Sequence, residues 1–232
     1  MNVIKRSLIS FISLLLGTVA AHADDDRSLV FVQADRLEYR GDDSTWLWDM
    51  QGWIGGDYRK FWWKTEGEID DGSAQEAELQ LLYSRAISPF FDLQLGLRHD
   101  FDPEPSRSFV VVGFQGLAPQ SIEIDAAVFI SEDGDISARF VAEYELLLTQ
   151  RLVLQPRFEI DFALQDVPEL GLGGGVTSTD LGLRLRYEIR REVAPYIGIS
   201  WQKSYGDTAN YLEIAGKDAN SFSVLAGIRL WF

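Results

Sequence analysis

Residues 221–232 read Ser-Phe-Ser-Val-Leu-Ala-Gly-Ile-Arg-Leu-Trp-Phe. Counting back from Phe232, every second residue is apolar: Leu230, Ile228, Ala226, Val224 and Phe222. The residues between them are mixed: Trp231, Arg229, Gly227, Leu225 and Ser223. A period of two marks a strand whose side chains alternate between two faces. An apolar face of this kind has two possible solvents, a protein core or a lipid bilayer. The rest of the chain decides between them.

The same period recurs along nearly the whole chain. It predicts an all-β fold of twelve strands near 29–39, 45–54, 58–69, 75–87, 90–100, 108–117, 121–131, 137–148, 151–163, 179–190, 194–204 and 221–232. Leu93, Leu95 and Leu97 interleave with Asp92, Gln94, Gly96 and Arg98. Leu154, Phe158, Ile160 and Phe162 interleave with Gln155, Arg157, Glu159 and Asp161. Each run has the length of a tilted transmembrane strand, roughly 9–11 residues. Only the first segment is ambiguous in phase, because of Arg36 and Glu38.

Connection lengths give a second signal. Short turns fall at Gly55–Asp57, Ser88–Pro89, Ala118–Pro119, Thr149–Gln150 and Arg191–Val193, all after even-numbered strands. Longer connections run through 103–107, 165–178 and 205–220. Outer-membrane barrels have short periplasmic turns and longer extracellular loops, so both termini are expected on the periplasmic side.

The N-terminus fits export. Lys5 and Arg6 precede an apolar run from Leu8 to Ala21, and Ala21-His22-Ala23 has the small-x-small form of a cleavage site. That is a signal peptide (1–23), since the run is too short for a transmembrane helix. An acidic leader (24–28) and a barrel (29–232) follow. Cleavage after Ala23 removes two bases and no acid, so the mature chain is more negative than the −15 of the whole. It leaves His99 as the sole histidine, and there is no cysteine for a disulfide, a thiolate site or a nucleophile. Acidity and the lack of a basic stripe argue against nucleic acid as a partner.

The soluble alternative, a sandwich or lipocalin-like barrel, turns its apolar face inward. The signal peptide favours lipid, as do aromatics near strand ends such as Trp46, Trp48, Phe61, Trp63, Tyr83, Phe91 and Phe232. Outer-membrane lipid is therefore one partner. The terminal aromatic strand is expected to be the segment that barrel-assembly machinery reads.

Inside such a barrel, charges need partners. Arg157, Glu159 and Asp161 are expected near Arg184, Arg186 and Glu188 on one side and Arg139, Glu143 and Glu145 on the other. Lys64, Glu66 and Glu68 face Glu76 and Glu78. Either the charges form an ion-pair network that fills the lumen, or the surplus carboxylates make a cation-attracting path.

From Trp48 onward the chain resembles the copper resistance protein B family. The resemblance rests on WDMQGWIGGDYRKFWWKTEGE at 48–68 and LLYSRAISPFFDLQLGLRHDF at 81–101. It continues in QGLAP at 115–119, AEYELLLTQRLVLQPR at 142–157 and GLRLRYEIRREVAPYIGI at 182–199. It implies an outer-membrane barrel in copper homeostasis that binds or sequesters copper ions, with periplasmic copper proteins as candidate partners. In the family a segment rich in Met and His commonly precedes the barrel. Here only Asp24-Asp25-Asp26-Arg27-Ser28 lies between Ala23 and Leu29.

Candidate metal ligands are His99, Asp100 and Asp102 at the end of the fifth strand, with Glu66, Glu68, Glu76 and Glu78 in the lumen. In strand phase His99 falls on the lipid side and Asp100 on the lumen side, and Met50 shares the face of Trp46 and Trp48. Two other functions stay open: a passive pore, and a lipid hydrolase using His99 with Ser106 or Ser108. The hydrolase lacks a visible orienting group and oxyanion hole, and the expectation is a protein that is not an enzyme.

Overall fold

The computed structural model describes residues 28–41, 44–70 and 72–232. The signal peptide, its cleavage site and all of the acidic leader except Ser28 lie outside the described residues.

Twelve strands form one sheet: β1 (Leu29–Arg40), β2 (Thr45–Gly55), β3 (Arg59–Asp70), β4 (Ser73–Ala86), β5 (Phe91–Asp102), β6 (Arg107–Ala118), β7 (Ile122–Ser131), β8 (Ile136–Tyr144), β9 (Leu152–Ala163), β10 (Gly175–Tyr187), β11 (Val193–Ser204) and β12 (Asn220–Trp231). Leu146–Leu147 extends the pairing of β8 with β9 after a break at Glu145. Each strand pairs antiparallel with the next, and β12 pairs with β1 through Gln33↔Trp231 and Ala34↔Leu230. The sheet is therefore a closed barrel with no free edge, as backbone groups in lipid require. A strand of twelve residues tilted by about 45° spans roughly 28 Å, enough for the apolar band of an outer-membrane barrel.

The outer face is the apolar one. Leu97 is 63% exposed and Val224 60%, whereas Leu225, between Val224 and Ala226, is 2% exposed inside the barrel. The ending Ser221–Phe232 thus has the two faces its sequence implies. Trp48 on β2 lies over Gly67 on β3, and Trp63 on β3 lies over Gly52 on β2. In each pair the glycine leaves room for the neighbouring indole, and a side chain there would collide with it.

The ambiguous phase of β1 has a physical cause. A bulge between Ala34 and Arg36 shifts the register, so Asp35 and Arg36 both reach lumen partners although they are adjacent in sequence. Beyond the bulge Arg36, Glu38 and Arg40 all point inward and are buried.

The 205–220 connection contains a helix, α1 (Gly206–Ile214), where only a loop was expected. It docks on the neighbouring connection, where Gly173 N–H donates to Thr208 Oγ1 at 2.8 Å. Lys217 Nζ, beyond the helix, reaches Gln75 at the start of β4 (3.0 Å). Glu169 in the β9–β10 connection reaches Arg107 on β6 (3.1 Å). The long connections are thus fastened to strands well beyond their own.

Candidate functional site

Much of the lumen is occupied by its own side chains. On one wall Leu82, Phe109, Val111 and Phe129 form an apolar cluster with Trp62 and Ala127. The Arg98 guanidinium lies over the Phe129 ring, 4.6 Å from its centroid. The remainder is held by ion pairs.

Strand register puts four inward carboxylates side by side: Asp49↔Glu66, Glu66↔Glu78 and Glu78↔Asp100. Like charges directly opposite repel, so this row needs bases between its members. Arg36 pairs with Asp49 (3.0 Å) and Glu66, and Arg98 with Glu78 (2.8 Å) and Asp100 (2.6 Å). Arg139, from β8 on the far side, reaches Glu66 at 3.1 Å and Glu78 at 3.4 Å while also holding Asp161 (3.1 Å) and Glu159 (3.4 Å). Lys64 also crosses the lumen, to Asp125.

Below this row Arg157 pairs with Glu143 and Glu159, and Arg229 ties Asp35 (2.8 Å) to Glu145 (2.6 Å). Arg184 donates to Glu38 at 2.5 Å. Its partner thus lies on β1, where the bulge hid an inward carboxylate from the sequence pattern.

The candidate ligands are distributed rather than gathered. Glu66, Glu78 and Asp100 are bound up with arginines. Glu68 and Glu76 sit directly opposite each other nearer the extracellular end, with Arg40 at 4.0 Å from Glu68. Asp102 pairs in register with Ala77 at the end of β5. His99 pairs in register with Ser108, and its Nδ1 lies 3.0 Å from Ser108 Oγ. The His99 ring meets Phe101 edge-on. Asp100 instead faces the lumen with Arg98, so the two neighbours do not share a ligand site. Among the described residues no group of three or more His, Cys, Asp or Glu side chains is placed to hold a metal ion. The donors present are carboxylate oxygens and one imidazole, which suit Cu(II) rather than Cu(I).

The two ends of the barrel differ in charge. Among the described residues, the connections after odd-numbered strands carry nine acids and one base, Lys217. Those after even-numbered strands carry four acids and three bases: Asp57, Glu145, Glu188 and Glu192 against Arg151, Arg190 and Arg191.

One extracellular carboxylate also fastens a loop. Gln165 (2.9 Å) and Arg107 (2.5 Å) donate to Asp135 and hold its carboxyl below the ordinary aspartate range. A depressed folded value means the clasp contributes fully above the free value of about 3.9 and is lost as pH falls below it. Amide exchange in the 165–174 connection, corrected for its intrinsic pH dependence, is expected to quicken below roughly pH 4. In Asp135→Asn it should be fast at neutral pH; protection equal to wild type there would refute the clasp.

Comparison with known proteins agrees with this architecture. The profile of the copper resistance protein B precursor family matches residues 28–232. The chain belongs to the copper resistance protein B family. It is 44% identical over 219 residues to copper resistance protein B of Escherichia coli, covering 93% of this chain and 74% of that protein. A copper resistance protein B homolog of Pseudomonas syringae pv. tomato is 41% identical over 201 residues, covering 86% and 68%. Among solved structures, the NanC porin superposes with a TM-score of 0.57 at 12% identity, over 87% of this chain and 99% of the porin. The KdgM porin gives 0.52 at 9% identity, over 89% and 99%. At these identities the porins share the fold alone. This copper resistance protein B relative is thus an outer-membrane β-barrel of copper resistance, and proteins of that kind are non-enzymatic.

Proposed function

We propose that the barrel supports copper tolerance by retaining cupric ions at its acidic extracellular end, above a lumen closed by ion pairs. The carrying observation is the charge asymmetry between the ends, nine acids to one base against four to three. A surface rich in one sign of charge raises the local concentration of the opposite ion. Carboxylate oxygens accept Cu(II), and the facing pair Glu68 and Glu76 supplies two carboxylates at the mouth. Thioether chemistry is not offered there, because Met50 lies on the outer face with Trp46 and Trp48. In this reading the lipid band anchors the barrel, assembly machinery reads the strand ending in Phe232, and periplasmic copper proteins meet the opposite mouth.

Equilibrium dialysis of the purified barrel with Cu(II) tests the proposal. Glu68→Gln/Glu76→Gln is expected to retain several-fold less copper than wild type, with a smaller loss on raising the salt, which screens the exposed loops. Equal retention by the two proteins would refute it. The His99–Ser108 hydrogen bond revives the hydrolase only in part, since among the described residues no acidic side chain bonds the other ring nitrogen.

A further inference from the structure

Two side chains cross the lumen at mid-barrel, and Arg229 spans as many strands near the periplasmic mouth, from β12 to Glu145 just beyond β8. Arg139 on β8 reaches β3 and β4, five and four strands away in a ring of twelve. Lys64 on β3 reaches Asp125 on β7, four strands away. Arg36 and Arg98 differ: they bind carboxylates on their own or nearby strands, stitching one wall rather than joining two.

Empty space lies beside these crossings. A cavity of about 120 Å³ is walled in part by Arg139, Lys64, Asp49, Glu66, Glu78 and Asp125. A larger one of about 490 Å³ opens at the periplasmic mouth between Arg186, Arg191, Trp231 and Gln150. Both cavities have Gln33 and Glu123 in their walls, so they adjoin. The two cavities therefore lie one beyond the other between the periplasmic mouth and the crossings, and Glu68 and Glu76 stand toward the opposite mouth.

We infer that the lumen is a cation path held shut by two side-chain bolts, Arg139 and Lys64. Arg139 binds Glu66, Glu78, Glu159 and Asp161 at once. With its charge gone, four carboxylates from two walls lose their shared counterion. Glu66, Glu78 and Glu159 keep Arg36, Arg98 and Arg157 on their own sides, so nothing cationic holds the walls together there and water enters. Removing the Lys64 charge frees Asp125 beside the same cavity. The wall of the 120 Å³ cavity then keeps seven acids against Arg157 alone, and a low-dielectric channel with such an excess of one sign concentrates the opposite ion. The inference stands apart from copper, because it rests on the crossing geometry and predicts passage of any small cation.

Planar-bilayer recording of wild type, Arg139→Gln, Lys64→Gln and the double variant tests it in a potassium chloride gradient. Heat-modifiable gel mobility identifies the folded barrels. The double variant is expected to conduct at least about tenfold more than wild type, with a reversal potential on the cation side. Adding Glu66→Gln and Glu78→Gln should keep the conductance and lower the selectivity. A folded double variant no more conductive than wild type, an anion-selective one, or a wild type already equally open would overturn the inference. If the double variant does not fold, Lys64→Gln and Arg139→Lys decide by the same criterion; Arg139→Lys keeps one charge but cannot serve four carboxylates, so raised conductance supports the bolt and unchanged conductance overturns it.

Discussion

Barrels carrying Glu38→Ala are expected to lose about 3–5 kcal/mol of stability, the cost of leaving buried charge without its partner. Glu38 is fully buried (0% exposed) and accepts from Arg184 Nε at 2.5 Å and Tyr196 Oη at 3.1 Å, with Arg40 Nε 3.8 Å away. Arg184 already has both terminal nitrogens buried without a hydrogen-bond partner, so it depends on this one carboxylate. Tyr196 is also packed over Gly227 and cannot follow a replacement partner without leaving that seat. Urea unfolding in lipid vesicles, read by heat-modifiable mobility, measures the loss. Replacing Glu38 and Arg184 together by Leu and Met should recover much of it, because a well-packed apolar pair often equals a buried ion pair. A single-variant loss below about 1 kcal/mol, the range of an exposed pair, would show that Glu38 is hydrated and the lumen wet.

Leu97→Arg should cost about 2–4 kcal/mol in the same vesicles, the penalty for a charge near the bilayer midplane. Leu97 lies between Leu81 and Val110 on the neighbouring strands, all three strongly exposed on the outer face. It sits between the outward aromatics Phe91 and Phe101 of the same strand, six residues from the first and four from the second. Arg at an exposed position of a water-facing sheet would change stability by no more than about 0.5 kcal/mol. That smaller value would mean that the outer face is not in lipid.

Most of the fold could be read from the chain because its strands keep a strict period of two. The predicted boundaries fall within four residues of the observed ones, and the ending at 221–232 differs by one at each limit. The failures have separate causes. In β1 the bulge near Asp35 breaks the period, which concealed Arg36, Glu38 and Arg40 as lumen residues. α1 is short, begins at Gly206 with Gly216 just beyond its end, and has no apolar stripe to announce it. Neighbouring partners such as Arg157 with Glu143 follow from strand order alone. The crossings of Arg139 and Lys64 follow only once the ring is closed and opposite walls are known. The His99–Ser108 contact lay within reach of the sequence, since a hairpin of β5 and β6 sets those two residues side by side.

Retention of copper at the extracellular end is measured most directly by growth. A deletion strain should carry either wild type or Glu68→Gln/Glu76→Gln at matched surface abundance and be grown across a copper series. Wild type is expected to restore tolerance and the double variant to restore clearly less. Equal restoration by both would contradict a role for the acidic mouth and leave the barrel's part in copper resistance to some other surface.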